Sequence, residues 1–553
     1  MAMKIALAQL NYHIGDLVAN TTDIVLNIKK AQQFNVDLLI FSEMSVCGYP
    51  PQDMLDYPEF VKRCMESAEN ISRICTDIGV IIGSPTINEK KNGKNLHNSA
   101  LFLHQGQIKS IHNKTLLPDY DIYDEYRYFE PSNEYNLIEF KGKKIAVAIC
   151  EDLWFNQPVE NSFGRNFLYS ESPLDKLMKL EPDLVAGLVA TPFAASRIEA
   201  KKEVYRKNAE KYGVPFFIVN QVGANNDLIF EGGSLVVNHK GEVFDRLVFF
   251  EEDFQIYELD EVTDTRAHGI KLNEKDLVDM TFQALVLGVK DYFFKLGFKK
   301  AVIGLSGGID SAVTAVLAVR ALGHRNVEAL ILPSRYTSEG SIEDALKLAK
   351  NLDIGYHVIE IDRLFDTFNG MLKPLFSGLP EDNTEENIQA RIRSNILMAF
   401  SNKFGHILLN TSNKSESAVG YTTLYGDMSG SLSVIGDVYK TRVYEMAKYI
   451  NHNKEIIPDG ILSRAPSAEL KENQKDSDDL PEYELLDKIL FQYIELNRSA
   501  GEIKKTGADP SLVDKIISLV NKSEYKRYQS PPVLRVSEKA FGPGRKMPLV
   551  AKI

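Results

Sequence analysis

The densest chemistry in the chain lies in Ala301–Ser311, AVIGLSGGIDS, where a short apolar run enters a glycine turn and Ala312–Leu322 follows as a helix. Two glycines at a strand-to-helix turn let several backbone N–H groups point into one concavity beside the positive end of a helix, a seat for a pyrophosphate group. Ser306 and Ser311 add hydroxyl donors, and Asp310 adds a carboxylate able to face a metal ion or a ribose. No Gly-Lys-Ser/Thr follows, so the turn is not of the Walker kind. A second set lies in the first half. Cys150 ends the run KKIAVAIC, at the carboxyl end of an expected strand, where active sites of α/β folds lie. Glu43 in FSE and Lys114 in HNKTLLP each follow another expected strand. Alone, Cys150 reads as an inert small hydrophobe. With a lysine to favour its thiolate and a carboxylate to accept and return protons, it reads as a nucleophile.

The elements that must carry these residues alternate. Met3–Gln9, Leu38–Phe41, Val80–Ile82, Ser99–Leu103, Lys144–Ile149, Leu184–Val189 and Phe216–Val219 read as strands, and Ser234–Val237 with Val243–Arg246 as a hairpin. The second half reads as helix Lys275–Leu296, strands Ala301–Leu305, Val327–Leu332, His357–Ile361 and Ile407–Asn410, and helices Ser341–Asn351 and Glu385–Lys403. Strands alternating with helices imply parallel sheets with ligands at the strands' carboxyl ends. Two domains follow, 1–260 and 276–553, with a linker over 261–275. Ser463–Pro481 is polar and reads either as a mobile loop or as a disordered connector. Over 553 residues the net charge is −12, which argues against nucleic acid and an anionic membrane surface as partners. No apolar run is long enough to span a bilayer, and the first residues read as a strand rather than a signal peptide. Four cysteines without CxxC pairing fit a reducing cytoplasm, and ten scattered histidines show no metal-ligand spacing.

The loop GLSGGIDS resembles that of N-type ATP pyrophosphatases, which activate a carbonyl group by releasing pyrophosphate from ATP. Glu43, Lys114 and Cys150 resemble the Glu-Lys-Cys amidases of the nitrilase family, over about the first 260 residues. The segments FSEMSVCGYPPQDML and LPDYDIYDEYRYFEP are more specific and look like the amidase domain of glutamine-dependent NAD synthetases. ENIQARIR around Asn387, TSNKSE, YTTLYGD and SRAPSAEL look like the ligase domain of the same family. The resemblance implies an αββα sandwich joined to a Rossmann-like parallel-sheet domain. In it Cys150 is the nucleophile, Glu43 the general base and Lys114 the oxyanion stabiliser. Tyr120, Glu125, Thr191 and Arg197 are expected at the glutamine, although Thr191 and Arg197 stand where the family usually has serine and lysine. Gly304, Leu305, Ser306, Gly307, Gly308, Ile309, Asp310, Ser311 and Thr411 are expected to contact ATP. Asn387, Glu416 and Lys526 are expected to contact deamido-NAD, and Asp310 and Glu416 to share Mg²⁺. The implied reaction amidates deamido-NAD with ammonia from glutamine, through an adenylated intermediate and a protected passage, in a homo-oligomer. Arg335 reads either as a phosphate or adenine contact or as a surface arginine. Another glutamine-dependent synthetase using the same loop, or a catalytically silent binding protein, stays open at this point.

Overall fold

The computed structural model describes residues 3–155, 168–264 and 274–551. The chain forms two compact units, Met1–Leu272 and Asn273–Ile553. The expected linker overlaps a helix, Leu259–Asp264, and the start of another, Glu274–Leu296; its middle lies outside the described residues.

The first unit holds β1 Lys4–Gln9, β2 Leu38–Ile40, β3 Gly79–Ile87, β4 Leu96–His104, β5 Gln107–Asn113, β6 Ile138–Phe140, β7 Lys143–Ile149, β8 Leu184–Val189, β9 Phe216–Asn220, β10 Val222–Asn225, β11 Leu228–Glu231, β12 Leu235–Val237, β13 Val243–Arg246 and β14 Asp253–Glu258. One six-stranded sheet runs β14-β1-β2-β3-β4-β5, a second runs β13-β12-β9-β8-β7-β6, and β10-β11 is a separate hairpin. Alternation along β1 shows how the layers form: Ile5 and Leu7 join the core that includes Ile145, Val147 and Phe217 of the second sheet, while Ala6 and Ala8 join Ile24, Ile28, Val61 and Ala68 of two covering helices. Helix Ile198–Tyr212 packs Val204, Tyr205 and Ala209 on the second sheet. The result is an αββα sandwich, as expected. At the end of this unit β14, which the sequence did not mark as a strand, pairs antiparallel with β1 from Lys4↔Glu258 to Gln9↔Asp253.

The second unit carries a parallel sheet of β15 Ala301–Gly304, β16 Val327–Ile331, β17 Gly355–Val358, β18 Ile407–Asn410 and β19 Leu432–Ser433, in the order β17-β16-β15-β18-β19. After β15 the chain builds outward on one side, then crosses to the other with β18. The loop after β15 therefore lies at the point where strand order reverses, the usual ligand crevice of such sheets. The strand expected at His357–Ile361 forms earlier, at Gly355–Val358, because it is an exposed edge and its pattern is not that of a buried strand. Residues 463–481 are mostly irregular yet packed: Gln389 Nε2 donates to Leu470 O at 2.8 Å and Gln474 Nε2 to Glu386 Oε2 at 3.0 Å. Among the described residues no helix is long and apolar enough to cross a membrane.

Candidate active sites

In the first unit three chain segments converge on Cys150. It follows β7, opens the turn Cys150–Leu153 and has φ +43°, a left-handed conformation that costs a non-glycine residue about 1–3 kcal/mol and clusters at active sites. Asp152 ties this turn to the lysine segment: its Oδ1 accepts from Thr115 N at 3.0 Å and Leu116 N at 2.8 Å, and its Oδ2 from Ile149 N at 3.1 Å. Lys114 is fully buried and donates to Glu43 Oε1 at 2.7 Å and to both oxygens of Glu125 at 2.8 Å. Asn98 Nδ2 donates to Glu43 at 2.7 Å and to Glu125 at 3.3 Å, and Ala190 N donates to Glu43 Oε2 at 3.1 Å. Gly83 permits the approach of the Glu43 segment: a Cβ there would lie 2.3 Å from Met44 N and 2.8 Å from Glu43 C.

Burial pushes the Cys150 thiol well up, Glu43 and Glu125 push it further, and Lys114 only partly offsets them. Lys114 is shared between Glu43 and Glu125 rather than given to the thiol alone. Burial alone would depress Lys114, but Glu125, Glu43 and Cys150 together hold it well above its usual range. Burial raises Glu125 as well, against the pull of Lys114.

The other residues expected here frame the same place. Thr191 Oγ1 lies 3.7 Å from Cys150 Sγ. Tyr120 donates to Glu151 at 3.0 and 3.2 Å, and Tyr169 donates to the same carboxylate at 2.9 Å. Burial pushes Glu151 up to about 7, against Lys114 and the two tyrosine hydroxyls. Arg197 is half-buried, and its charge is felt by Tyr123 and Lys201. Glu125, expected at the substrate, is bound to Lys114 and also receives Tyr49 OH at 2.8 Å. Asn98, Glu151, Asp152 and Lys201 carried no local signal: each matters through a partner distant in sequence or, for Glu151, through tyrosines on another segment.

In the second unit the glycine turn is organised by hydroxyls. Ser306 N and Oγ contact Ser311 Oγ at 3.3 and 3.1 Å, Gly308 N donates to Ser306 Oγ at 3.2 Å, and Ser311 donates to Gly308 O at 3.0 Å. Gly307 has φ +81°, and a Cβ would fall 2.2 Å from Ser341 O. Gly308 caps the helix Ile309–Leu322, whose first residue Ile309 is buried. Beside the turn lies a cavity of about 270 Å³ lined by Gly304, Leu305, Ser306, Thr411, Arg393 and Asp427, among others. Asp310 Oδ1 accepts from Asn413 at 2.9 Å, and Asn413 Oδ1 caps the helix Lys414–Val419 by accepting from Glu416 N at 3.0 Å. Lys440, not singled out in the sequence, bridges the two carboxylates at 2.5 Å to Asp310 and 3.2 Å to Glu416. Burial pushes Glu416 up against that pull. Asn387 accepts from Thr423 Oγ1 at 2.7 Å, and Lys526 donates to Gly420 O and Thr422 O at 2.7 and 2.6 Å, so both border the YTTLYGD loop. Arg335 pairs with Asp362 and Asp366 at the surface. Among the described residues no group of three or more His, Cys, Asp or Glu side chains converges as a metal cage. Two carboxylates beside a phosphate-type turn suit Mg²⁺, which keeps few protein ligands and shares substrate phosphates.

The class that these two units define is a carbon–nitrogen hydrolase joined to an ATP-pyrophosphatase-type synthetase. A carbon–nitrogen hydrolase model matches residues 4–164, and an NAD synthase model matches 281–530. The glutamine-dependent NAD(+) synthetase of Synechocystis sp. is 44% identical over 99% of this chain and 98% of its own length; that of Acinetobacter baylyi is 39% identical over the same shares. A solved glutamine-dependent NAD+ synthetase from Acinetobacter baumannii, in complex with adenosine diphosphate, covers 100% of this chain and 99% of its own at 36% identity and TM-score 0.77. The chain belongs to the glutamine-dependent NAD(+) synthetase family.

Proposed function

We propose that the protein makes NAD from deamido-NAD and ATP with ammonia released from glutamine. The observation that carries the first half is the buried Lys114 bound at once to Glu43 and Glu125 beside the left-handed Cys150. Glu43 takes the thiol proton as Sγ attacks the glutamine amide carbon, and the oxyanion that forms is met by the Lys114 ammonium. Collapse breaks the C–N bond, Glu43 returns the proton to the departing ammonia, and a thioester remains. Water, deprotonated by Glu43, then releases glutamate and restores the thiol. Arg197 supplies a cation for the substrate's carboxylate, and Glu151 an anion for its ammonium end.

In the second unit the Gly304–Ser311 turn and Thr411 receive ATP. A carboxylate oxygen of the nicotinate group attacks the α-phosphorus, pyrophosphate leaves, and ammonia displaces AMP from the acyl carbon. Asp310 and Glu416 would hold Mg²⁺ arriving with ATP, whose charge would offset that of the phosphates, and Lys440 beside them adds a further cation at the phosphate end. Asn387 and Lys526 serve the dinucleotide. A homo-oligomer paired through this unit is supported by the exposed Leu364, Phe368, Met371, Leu375 and Leu379, which a second copy would cover. Four free, buried cysteines suit a reducing cytoplasm. The test is NAD formation from deamido-NAD, Mg²⁺–ATP and glutamine, with ammonium in parallel. Pyrophosphate release that does not depend on deamido-NAD would refute the substrate assignment.

A further inference from the structure

Behind Thr191 the first unit buries an ion pair that the chemistry above does not use. Lys201 and Glu231 are 6% and 3% exposed, and Lys201 Nζ meets Glu231 Oε1 at 2.6 Å. The same ammonium donates to Pro192 O at 2.7 Å and reaches Thr191 O at 3.4 Å. Asn220 holds Thr191 as well, its Oδ1 accepting from Thr191 N at 3.0 Å and its Nδ2 donating to Thr191 O at 3.4 Å, while Phe193 N donates to Ile229 O at 2.6 Å. These bonds hold the backbone of the residue whose hydroxyl faces Cys150 Sγ. The second oxygen of Glu231 is buried with no hydrogen-bond partner among the described residues, at a cavity of about 40 Å³ lined also by Thr191, Asn220 and Tyr205.

Charge explains why a carboxylate is needed there. Lys201 follows Arg197 by four residues across the start of the helix Ile198–Tyr212, so the two cations are neighbours and repel. Glu231, from β11, neutralises Lys201 beside Arg197. We propose that Lys201, held by Glu231, is a positioning residue of glutamine hydrolysis, clamping the Thr191–Pro192 carbonyls so that Thr191 meets the reacting carbon at Cys150. This rests on the glutaminase reading of the first unit.

The experiment compares wild type, Lys201→Met, Lys201→Arg and the double variant Lys201→Met/Glu231→Leu in the full-length enzyme. The measurements are glutamine hydrolysis, ammonium-supported NAD formation, Tm and the rate of Cys150 alkylation by iodoacetamide. Lys201→Met is expected to lower kcat for glutamine about 10- to 100-fold, the range of a misplaced reacting group, and to change the alkylation rate. Ammonium-supported synthesis should stay within about twofold. Lys201→Arg, which keeps charge and donors, should recover most of kcat. The double variant removes the stranded carboxylate and should regain Tm without regaining kcat. A double variant that hydrolyses glutamine like wild type would overturn the proposal and make the pair a packing feature. Absence of glutamine hydrolysis in the wild type itself would overturn the glutaminase reading, a result separable from the first.

Discussion

Around Cys150 two carboxylates share one ammonium, and that imbalance decides how the nucleophile works. Burial first, and Glu43 and Glu125 after it, push the Cys150 thiol up against Lys114, so in the proposed reaction the proton leaves as the sulfur attacks. Glu151 sets a second constraint. Its carboxyl is pushed up to about 7 by burial, so it is neutral below that pH and anionic above it. If it receives the substrate's ammonium, kcat/KM for glutamine falls as pH drops through about 7, and Glu151→Gln lowers the plateau and removes that limb. A pH profile of glutamine hydrolysis in both proteins checks this, and an unchanged limb in the variant would assign it to another group. Arg197→Lys keeps the cation and loses the fork, so glutamine KM should rise about three- to thirtyfold, or roughly 0.7–2 kcal/mol, and Arg197→Ala should raise it more. An unchanged KM in the alanine variant would make Arg197 a solvated surface residue.

The glycine turn after β15 is an element that works by backbone shape. At Gly307 a side chain would meet both a left-handed φ and Ser341 O at 2.2 Å. Gly307→Ala should therefore abolish or severely reduce NAD formation with either nitrogen donor and leave glutamine hydrolysis intact, measured side by side. Normal synthesis would mean that the turn is not where ATP reacts. Such turns were legible because strand, glycines and helix cap are contiguous, and the same holds for Cys150, Glu43 and Lys114 at strand ends. What escaped notice is built across the chain. Lys440 lies 130 residues from Asp310, and Lys201 works through a carbonyl and a carboxylate rather than through a motif. A lysine near a thiol likewise says nothing of burial or of the carboxylates that also claim it: Lys114 draws the Cys150 thiol down, while burial, Glu43 and Glu125 push it up. β14 was hidden because a strand at a sheet edge tolerates charged and polar residues that blur the apolar pattern of a strand.

For the molecule as a whole, the proposed reaction divides between the units: Glu43, Lys114 and Cys150 lie in the first, and the Gly304–Ser311 turn, Asp310 and Glu416 in the second. Neither set borrows a named residue from the other. Glutamine hydrolysis and carboxylate activation are thus separable by mutation even though one chain performs both. The deciding measurement is NAD formation by Cys150→Ala with glutamine and, separately, with ammonium, at equal deamido-NAD and Mg²⁺–ATP. Glutamine-supported synthesis should vanish, because the thioester cannot form, while ammonium-supported synthesis should match wild type within about twofold. Equal loss with both nitrogen donors, or retained synthesis from glutamine, would contradict the division of labour between Cys150 and the Asp310–Glu416 site.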